Sequence, residues 1–393
     1  MKKIAIIFNG DLHNRKGYIN AVLERAKRLC PQKEFSTDVF CLSTYDHWLV
    51  RKLRHTPKAE RATQIEVDGL TINMIWYPFS LIDYILSVKL HKGRIIEPMI
   101  FKRNLSRFMD YDLICAHSTI PGEFAYMLYE QYNIPYITTW HGSDVHTAPF
   151  VNSNYRDTVK RVMSNGSANL FVSRALMITA KQVMQVVPNA HISYNGGADI
   201  FTKFSDDDKR SLRKKYDIDD ADKVVGFVGG LVPIKNVDKL PEIFEYIHER
   251  CPNTTFWIVG DGKLRRDIET QLQDRYPHIR CRMFGNQSVN TMPELMNCID
   301  LLLLPSKNEG LPLVTVEALR CATNVVASNV GGISEVIGPK NVIDHGDGFV
   351  ERFGHRCVDI LQNNEVCPEL PKQFDWDTIV DKESKLCKSI LQI

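Results

Sequence analysis

The stretch Ile299–Ala322, IDLLLLPSKNEGLPLVTVEALRCA, restricts the fold of this chain more than any other. Ile299–Leu304 is an apolar run of strand length, and Pro305, Ser306 and Asn308 break it. From Pro312 the spacing turns helical, with Leu313, Val316 and Leu319 three apart on one face. The pattern predicts a buried strand, a short loop and a helix. In an open α/β sheet, ligands bind at the carboxyl ends of strands, where this loop would fall. Pro312 suits the first helical turn, because the N–H that it lacks is not needed there. The amides of Leu311, Leu313 and Val314 would then point out of the helix start, a setting that attracts anions such as phosphate. Glu309 lies in the loop, and Glu317 follows eight residues on, about two helical turns. A loop carboxylate before an anion site and a second one inside the helix suit a ligand that joins hydroxyls to phosphates.

With 393 residues the chain is long enough for two domains of ordinary size. The net charge of +2 demands no nucleic-acid partner, but the halves differ. Residues 1–200 hold 24 basic and 17 acidic side chains, a net +7, and the remainder holds 25 and 30, a net −5. Such asymmetry suggests a docking surface on the first half. The ten cysteines form no C-x-x-C pair, which points away from zinc and from a disulfide frame and toward a reduced, cytosolic setting. Met1–Phe8 is too short and too quickly polar for a signal peptide, and no apolar run approaches the length of a membrane span.

The first half alternates strands with helices. Strands are predicted at Lys3–Phe8, Thr37–Leu42, Leu70–Tyr77, Asp112–Ala116, Pro135–Thr139 and Ala168–Val172. Gly17–Leu29 reads as a helix with Ile19, Val22, Leu23 and Ala26 on its inner face. This rhythm argues for a parallel, doubly wound sheet. Tyr136–Thr139 runs into Trp140-His141-Gly142-Ser143-Asp144; a His at a strand's carboxyl end, followed by Gly, marks a common place for a ligand contact. The bland alternative is a capped turn in which Asp144 starts a helix. The second half repeats the rhythm, with strands at Val224–Val228, Phe256–Val259 and Arg280–Phe284 and a helix from Lys263.

Two segments lie outside this rhythm. Tyr45–Gln64 and Leu81–Arg107 are less regular, and Gly93 and Pro98 interrupt the second. In the second, Lys89, Lys92, Arg94, Lys102, Arg103 and Arg107 sit among large apolar residues, which suits a surface helix on anionic lipid. An ordinary amphipathic helix with a solvated basic face is the competing account. Ser205–Asp208 and Asp217–Asp222 are acidic, and Asp206–Asp208 forms a D-x-D match without a preceding strand, so solvated turn residues are expected rather than a metal site.

Taken together, several segments in order resemble the retaining GT-B glycosyltransferases of the group 1 (GT4-type) family. NEGLPLVTVEAL resembles its E-x7-E signature, and His141-Gly142-Ser143-Asp144 its H-G-x-D. Asn195-Gly196-Gly197-Ala198-Asp199 is similar to the N-G-V-D turn that closes the first domain. Gly230-Leu231-Val232-Pro233-Ile234-Lys235 is similar to G-R-L-x-x-x-K, keeping Lys235 but placing Gly230 at the Arg position. The family carries Gly-Gly where the first helix begins; here the pair is Lys16-Gly17. The resemblance implies two Rossmann-like domains facing a central cleft: 1–200 on the acceptor side, 201–373 on the nucleotide-sugar side, and 374–393 crossing back to the first. It implies sugar transfer from a nucleotide-sugar, with a UDP-sugar as the expected donor, to a hydroxyl of a glycan or lipid-linked acceptor, with no metal or other cofactor. His141, Lys235 and Glu309 would be catalytic. Gly17, Gly230, Met283, Leu311, Leu313, Val314 and Glu317 would join Lys235 in holding the donor, with Glu317 on the ribose and Met283 near the base. Two alternatives stay open: a nucleotide-sugar 2-epimerase on the same fold, and a non-catalytic nucleotide-sugar-binding subunit.

Overall fold

The computed structural model describes residues 1–12, 17–55, 60–86 and 96–393. Lys16, Lys89, Lys92 and Arg94 lie outside the described residues. Two compact units result. Unit 1 comprises Met1–Asn195 and Trp376–Ile393, and unit 2 comprises Gly196–Asp375.

Among the described residues, the sheet of unit 1 has eight strands: β1 (Lys2–Asn9), β2 (Phe35–Asp46), β3 (Gln64–Val67), β4 (Leu70–Phe79), β5 (Leu113–His117), β6 (Tyr136–Trp140), β7 (Ala168–Phe171) and β8 (Ala190–Ile192). Their order is β3-β4-β2-β1-β5-β6-β7-β8, parallel throughout except for β3 against β4. The sheet of unit 2 has six parallel strands: β9 (Lys223–Val228), β10 (Thr254–Val259), β11 (Cys281–Gly285), β12 (Leu301–Leu304), β13 (Asn324–Ser328) and β14 (Val342–Ile343). Their order is β11-β10-β9-β12-β13-β14. This is the doubly wound order, and the winding reverses between β9 and β12; in unit 1 it reverses between β1 and β5. Ligands of such sheets bind outside the carboxyl ends of the strands at these reversals.

The apolar runs explain the strands. Leu301–Leu304 of β12 are all fully buried, as a strand covered on both faces must be. Each such Leu contributes about 1.5–3 kcal/mol of transfer free energy. In the helix Gly17–Leu29 the inner face holds Ile19, Val22, Leu23 and Ala26, all buried as the spacing predicts. It also holds Arg25, which is fully buried. Arg25 Nε meets Glu383 of the helix Trp376–Leu391 at 2.9 Å, Nη1 donates to Asn195 Oδ1 at 2.9 Å, and Nη2 donates to the Tyr194 carbonyl at 2.7 Å. The guanidinium lies over the Trp376 ring, 4.9 Å from its centroid, and Ser193 Oγ donates to Glu383. A buried charge is tolerated only with partners of this kind.

Several local expectations change. Asp206–Asp208 are not turn residues; they are the exposed first turn of the helix Asp206–Lys215. Ser205 caps that turn by accepting from the Asp208 amide at 3.1 Å, and three acids at a helix start are favoured by its dipole. Pro98 does not interrupt structure, because it sits in the first turn of the helix Ile96–Asn104, where its missing N–H is not used. Tyr45–Gln64 contains the helix Trp48–Arg54. β2 runs on to Asp46 because its parallel register with β4 continues as far as Asp46 opposite Phe79. The helix expected from Lys263 begins at Arg265; just ahead of it the Leu264 amide donates to the Leu231 carbonyl at 3.0 Å. Among the described residues no helix is long and apolar enough to cross a membrane.

Candidate functional site

In unit 2 the loops leaving β9 and β12 meet at the winding reversal. The first passes Gly229–Val232 into a single 3-10 turn, Pro233–Lys235, closed by Asn236 in the left-handed region at φ 54°. The second passes Pro305 to Pro312. The Lys307 amide donates to the Ile234 carbonyl at 2.8 Å and locks the loops together. Lys235 Nζ then reaches Glu309 Oε1 at 2.6 Å, with the two side chains 22% and 12% exposed. An ammonium has three N–H groups and a carboxylate about four acceptor positions. The bridge therefore leaves both groups capacity for a ligand.

Backbone packing fixes both loops. Gly331, at φ +55°, lies so close to the Glu309 loop that a Cβ there would fall 2.1 Å from the Glu309 carbonyl oxygen. Gly332 donates to the Gly310 carbonyl at 2.8 Å. On the other side the Leu231 amide donates to the Asp261 carbonyl at 3.0 Å, and a Cβ on Gly260 would fall 2.0 Å from the Gly229 oxygen. Gly230 itself is exposed and uncrowded; the nearest atoms to a Cβ there are 3.9 and 4.0 Å away. That position has room for a side chain and holds none.

The helix after β12 spans Leu313–Arg320. Pro312 is its N-cap, at φ −71° and ψ 121°, one residue before the first turn in which the sequence had put it. The reason is local: its carbonyl takes both the Thr315 amide, at 3.2 Å, and the Thr315 hydroxyl, at 2.8 Å. The Leu313 and Val314 amides open the helix, beyond reach of its own carbonyls. Leu311 is buried and already engaged. Glu317 is half-buried, and burial pushes its carboxyl up to about 7. Met283 lies in β11, the edge strand, opposite Ile258 of β10, with one side of its backbone open.

Unit 1 supplies a second group of residues at its own reversal. Gly17, exposed, starts the first helix after β1. Its neighbour Tyr18 packs edge-on against His141, with centroids 4.8 Å apart at 78°. The Tyr18 hydroxyl donates to the carbonyl of His117, the last residue of β5, at 2.9 Å. His117 Nδ1 lies 3.1 Å from His141 Nε2. Burial holds both imidazoles well below the usual range, His117 adds to this at His141, and the Arg25 guanidinium acts in the same direction on both. Asp144 accepts the Gly142 amide at 2.7 Å and the His141 amide at 3.1 Å, so it holds the turn rather than facing solvent. Burial pushes its carboxyl up to about 6, against the opposing effect of those amides.

The structure thus joins Lys235 directly to Glu309, and Tyr18, beside Gly17, to His141. Sequence reasoning missed His117, Tyr18 and Arg25. His117 had the same signal as His141, a His at the carboxyl end of a strand. Arg25 had another, a lone charge inside the apolar stripe of a helix.

Residues 208–372 match the family model described as glycosyl transferases group 1. A putative teichuronic acid biosynthesis glycosyltransferase, TuaC, of Bacillus subtilis (strain 168) is 30% identical over 251 residues. That match covers 62% of this chain and 60% of the relative. Among solved structures, the sucrose-phosphate synthase of Thermosynechococcus elongatus superposes with a TM-score of 0.79 at 17% identity, covering all of both chains. Anabaena Alr3699/HepE in complex with UDP superposes with a TM-score of 0.74 at 18% identity, covering 99% of this chain and all of that one. Residues 208–372, somewhat less than half of the chain, are thus similar to the group 1 glycosyl transferases, and its two units have the GT-B fold.

Proposed function

We propose that this protein is a retaining, metal-independent glycosyltransferase, moving a sugar from a UDP-sugar to a hydroxyl of a glycan or lipid-linked acceptor in polysaccharide or envelope biosynthesis. The observation that carries the reading is the Lys235–Glu309 pair, 2.6 Å apart at the winding reversal of unit 2. Lys235 and the helix-start amides of Leu313 and Val314 meet the diphosphate, whose charge grows as the sugar departs; preorganised charge of this kind is usually the largest catalytic term. Glu309 grips sugar hydroxyls, Glu317 the ribose, His141 the sugar near the reacting carbon, and the Met283 backbone the base. The relative in teichuronic acid synthesis supports a polysaccharide role, and the UDP complex of HepE supports the nucleotide.

A panel of radiolabelled nucleotide sugars, incubated with the purified protein, tests the reading. Without acceptor, slow hydrolysis of a UDP-sugar to UDP and free sugar is expected. Release of an altered nucleotide sugar with no free nucleotide would mean a 2-epimerase. Binding without turnover would mean a non-catalytic subunit, a reading that the empty position at Gly230 favours. Because Lys235 and the helix start meet the phosphate charge, turnover should survive EDTA. Loss of activity in EDTA with recovery in manganese would refute metal independence and turn attention to Asp206–Asp208.

Glu317 adds a pH-dependent expectation. Its carboxyl is raised from the ordinary 4.5 to about 7 by burial, so below neutrality it holds a proton. If its ionised form accepts the ribose hydroxyls, donor affinity falls as pH drops through about 7. Glu317→Ala should weaken donor binding by about 1.5–3 kcal/mol, and both Ala and Gln variants should flatten the pH dependence. Folding runs the other way: the proton is held more tightly in the native state, so this group's contribution to stability declines as pH rises from 4.5 to about 7. Unchanged donor affinity in a folded Glu317→Ala protein would remove the residue from the site.

The reading also includes peripheral docking of unit 1 on the inner face of an anionic membrane, in a cytoplasmic setting. Lys102, Arg103 and the exposed Met99 share one short helix, and Trp48 and Leu53 stand exposed beside Arg51, Lys52 and Arg54 on another. Each basic side chain contributes about 1 kcal/mol at such a surface. Binding to phosphatidylglycerol vesicles should fall steeply with salt, and serine at Lys89, Lys92, Arg94, Lys102 and Arg103 should abolish it while donor hydrolysis continues. Indifference of the wild-type protein to these vesicles at low salt would point to a soluble acceptor.

A further inference from the structure

Two imidazoles lie side by side in unit 1. His117, 3% exposed, ends β5; His141 follows the next strand, β6. Nδ1 of His117 is 3.1 Å from Nε2 of His141. A neutral imidazole has one N–H and one lone pair, so a bond between two neutral rings makes one the donor and the other the acceptor. The tautomers of the two rings are thereby coupled: whichever ring donates, the other accepts. The surroundings hold the arrangement still. Tyr18 packs against the His141 ring and donates to the backbone of His117, and Asp144 clamps the amides of His141 and Gly142.

One ring nitrogen, His141 Nδ1, is left buried without a hydrogen-bond partner among the described residues. An unpaired buried polar atom costs about 1–3 kcal/mol, and native structures keep few of them without a use. A hydroxyl is the ligand group that suits this atom in either tautomer, because it both donates and accepts. A carboxylate or an ammonium suits only one.

We propose that His117 is a positioning residue: its ring hydrogen bond holds His141 in a single tautomer and orientation, with Nδ1 reserved for a hydroxyl of the bound sugar. The inference rests on the reading of His141 as a sugar contact. His117 touches His141 and not the reacting atoms, so its removal acts on the chemical step more than on nucleotide binding. Misplacing a contact at the reacting centre is expected to slow turnover roughly 10–100-fold.

The test uses the full chain labelled with 15N-histidine. The wild-type protein should show His141 as a single neutral tautomer near neutral pH, by the 15N shifts of its ring. His117→Ala should release it into a mixture of tautomers and lower kcat for donor turnover, with KM for the donor within about twofold of wild type. His117→Asn returns an amide to the position of Nδ1 and should recover most of both readouts. A tautomer mixture in the wild-type protein, unchanged His141 shifts in His117→Ala, or an Asn variant no better than Ala would each overturn the assignment. A single tautomer in a protein that turns over no nucleotide sugar would leave the positioning role standing and defeat the glycosyltransferase reading instead.

Discussion

Lys235→Ala is expected to slow donor turnover about 10²–10³-fold, the usual consequence of deleting one preorganised donor from a developing negative charge. Lys235 is a point charge on a short rigid turn, held by the Lys307–Ile234 backbone bond. Gly230 contributes no second cation, so in this reading Lys235 and the helix-start amides answer the charge of the departing diphosphate. The variant should fold, because the pair is partly solvated and its loops are fixed by backbone contacts. Lys235→Arg should restore part of the loss, since the guanidinium keeps the charge but not the compact geometry of an ammonium. Steady-state release of free nucleotide from the nucleotide-sugar turned over reads the effect directly. Turnover within twofold of wild type in the Ala variant would dissociate Lys235 from the leaving group.

The largest effect on stability is expected at Arg25. Arg25→Ala leaves Glu383 buried with Ser193 as its remaining side-chain partner among the described residues, and breaking a buried pair in this way costs about 3–5 kcal/mol. At roughly 2–4 °C per kcal/mol for a unit of this size, the melting temperature of unit 1 should fall by on the order of 10 °C. Removing both charges, with Arg25→Met and Glu383→Leu together, should recover much of the loss, because apolar replacement of a whole buried pair is often neutral. Calorimetry of the single and double variants decides it. A single variant that melts with the wild type would mean the guanidinium is dispensable to the fold.

How much of this could be read beforehand follows from the range of each interaction. The strand at Leu301–Leu304 was legible because four buried leucines leave a mark in sequence that depends on no other segment. The helix Gly17–Leu29 was legible through its period, and Glu309, Lys235 and His141 through short motifs with a fixed place on a strand end. The bridge between Lys235 and Glu309 was not, because the two are 74 residues apart and meet only when β9 and β12 become neighbours. His117 lacks the flanking glycine that drew attention to His141, and its partner is found only across β5 and β6. The acidic run at 206–208 was misread because composition resembled a loop; Ser205 as a cap followed by three acids was the better signal.

The Arg25 cluster also bears on how the chain is threaded. Asn195, where the backbone leaves unit 1, and Trp376, where it returns, both lie against the same guanidinium. Unit 2 is therefore a guest inserted into a host whose two cut ends stay side by side. A host of that kind can be sealed without its guest: a bridge of about four Gly/Ser residues has an r.m.s. reach of roughly 5–6 Å × √n, enough to join neighbours across one side chain. Read this way, the chain is one doubly wound sheet interrupted by another, and the final helix is the host's own last element, separated from its sheet in sequence only by the insertion.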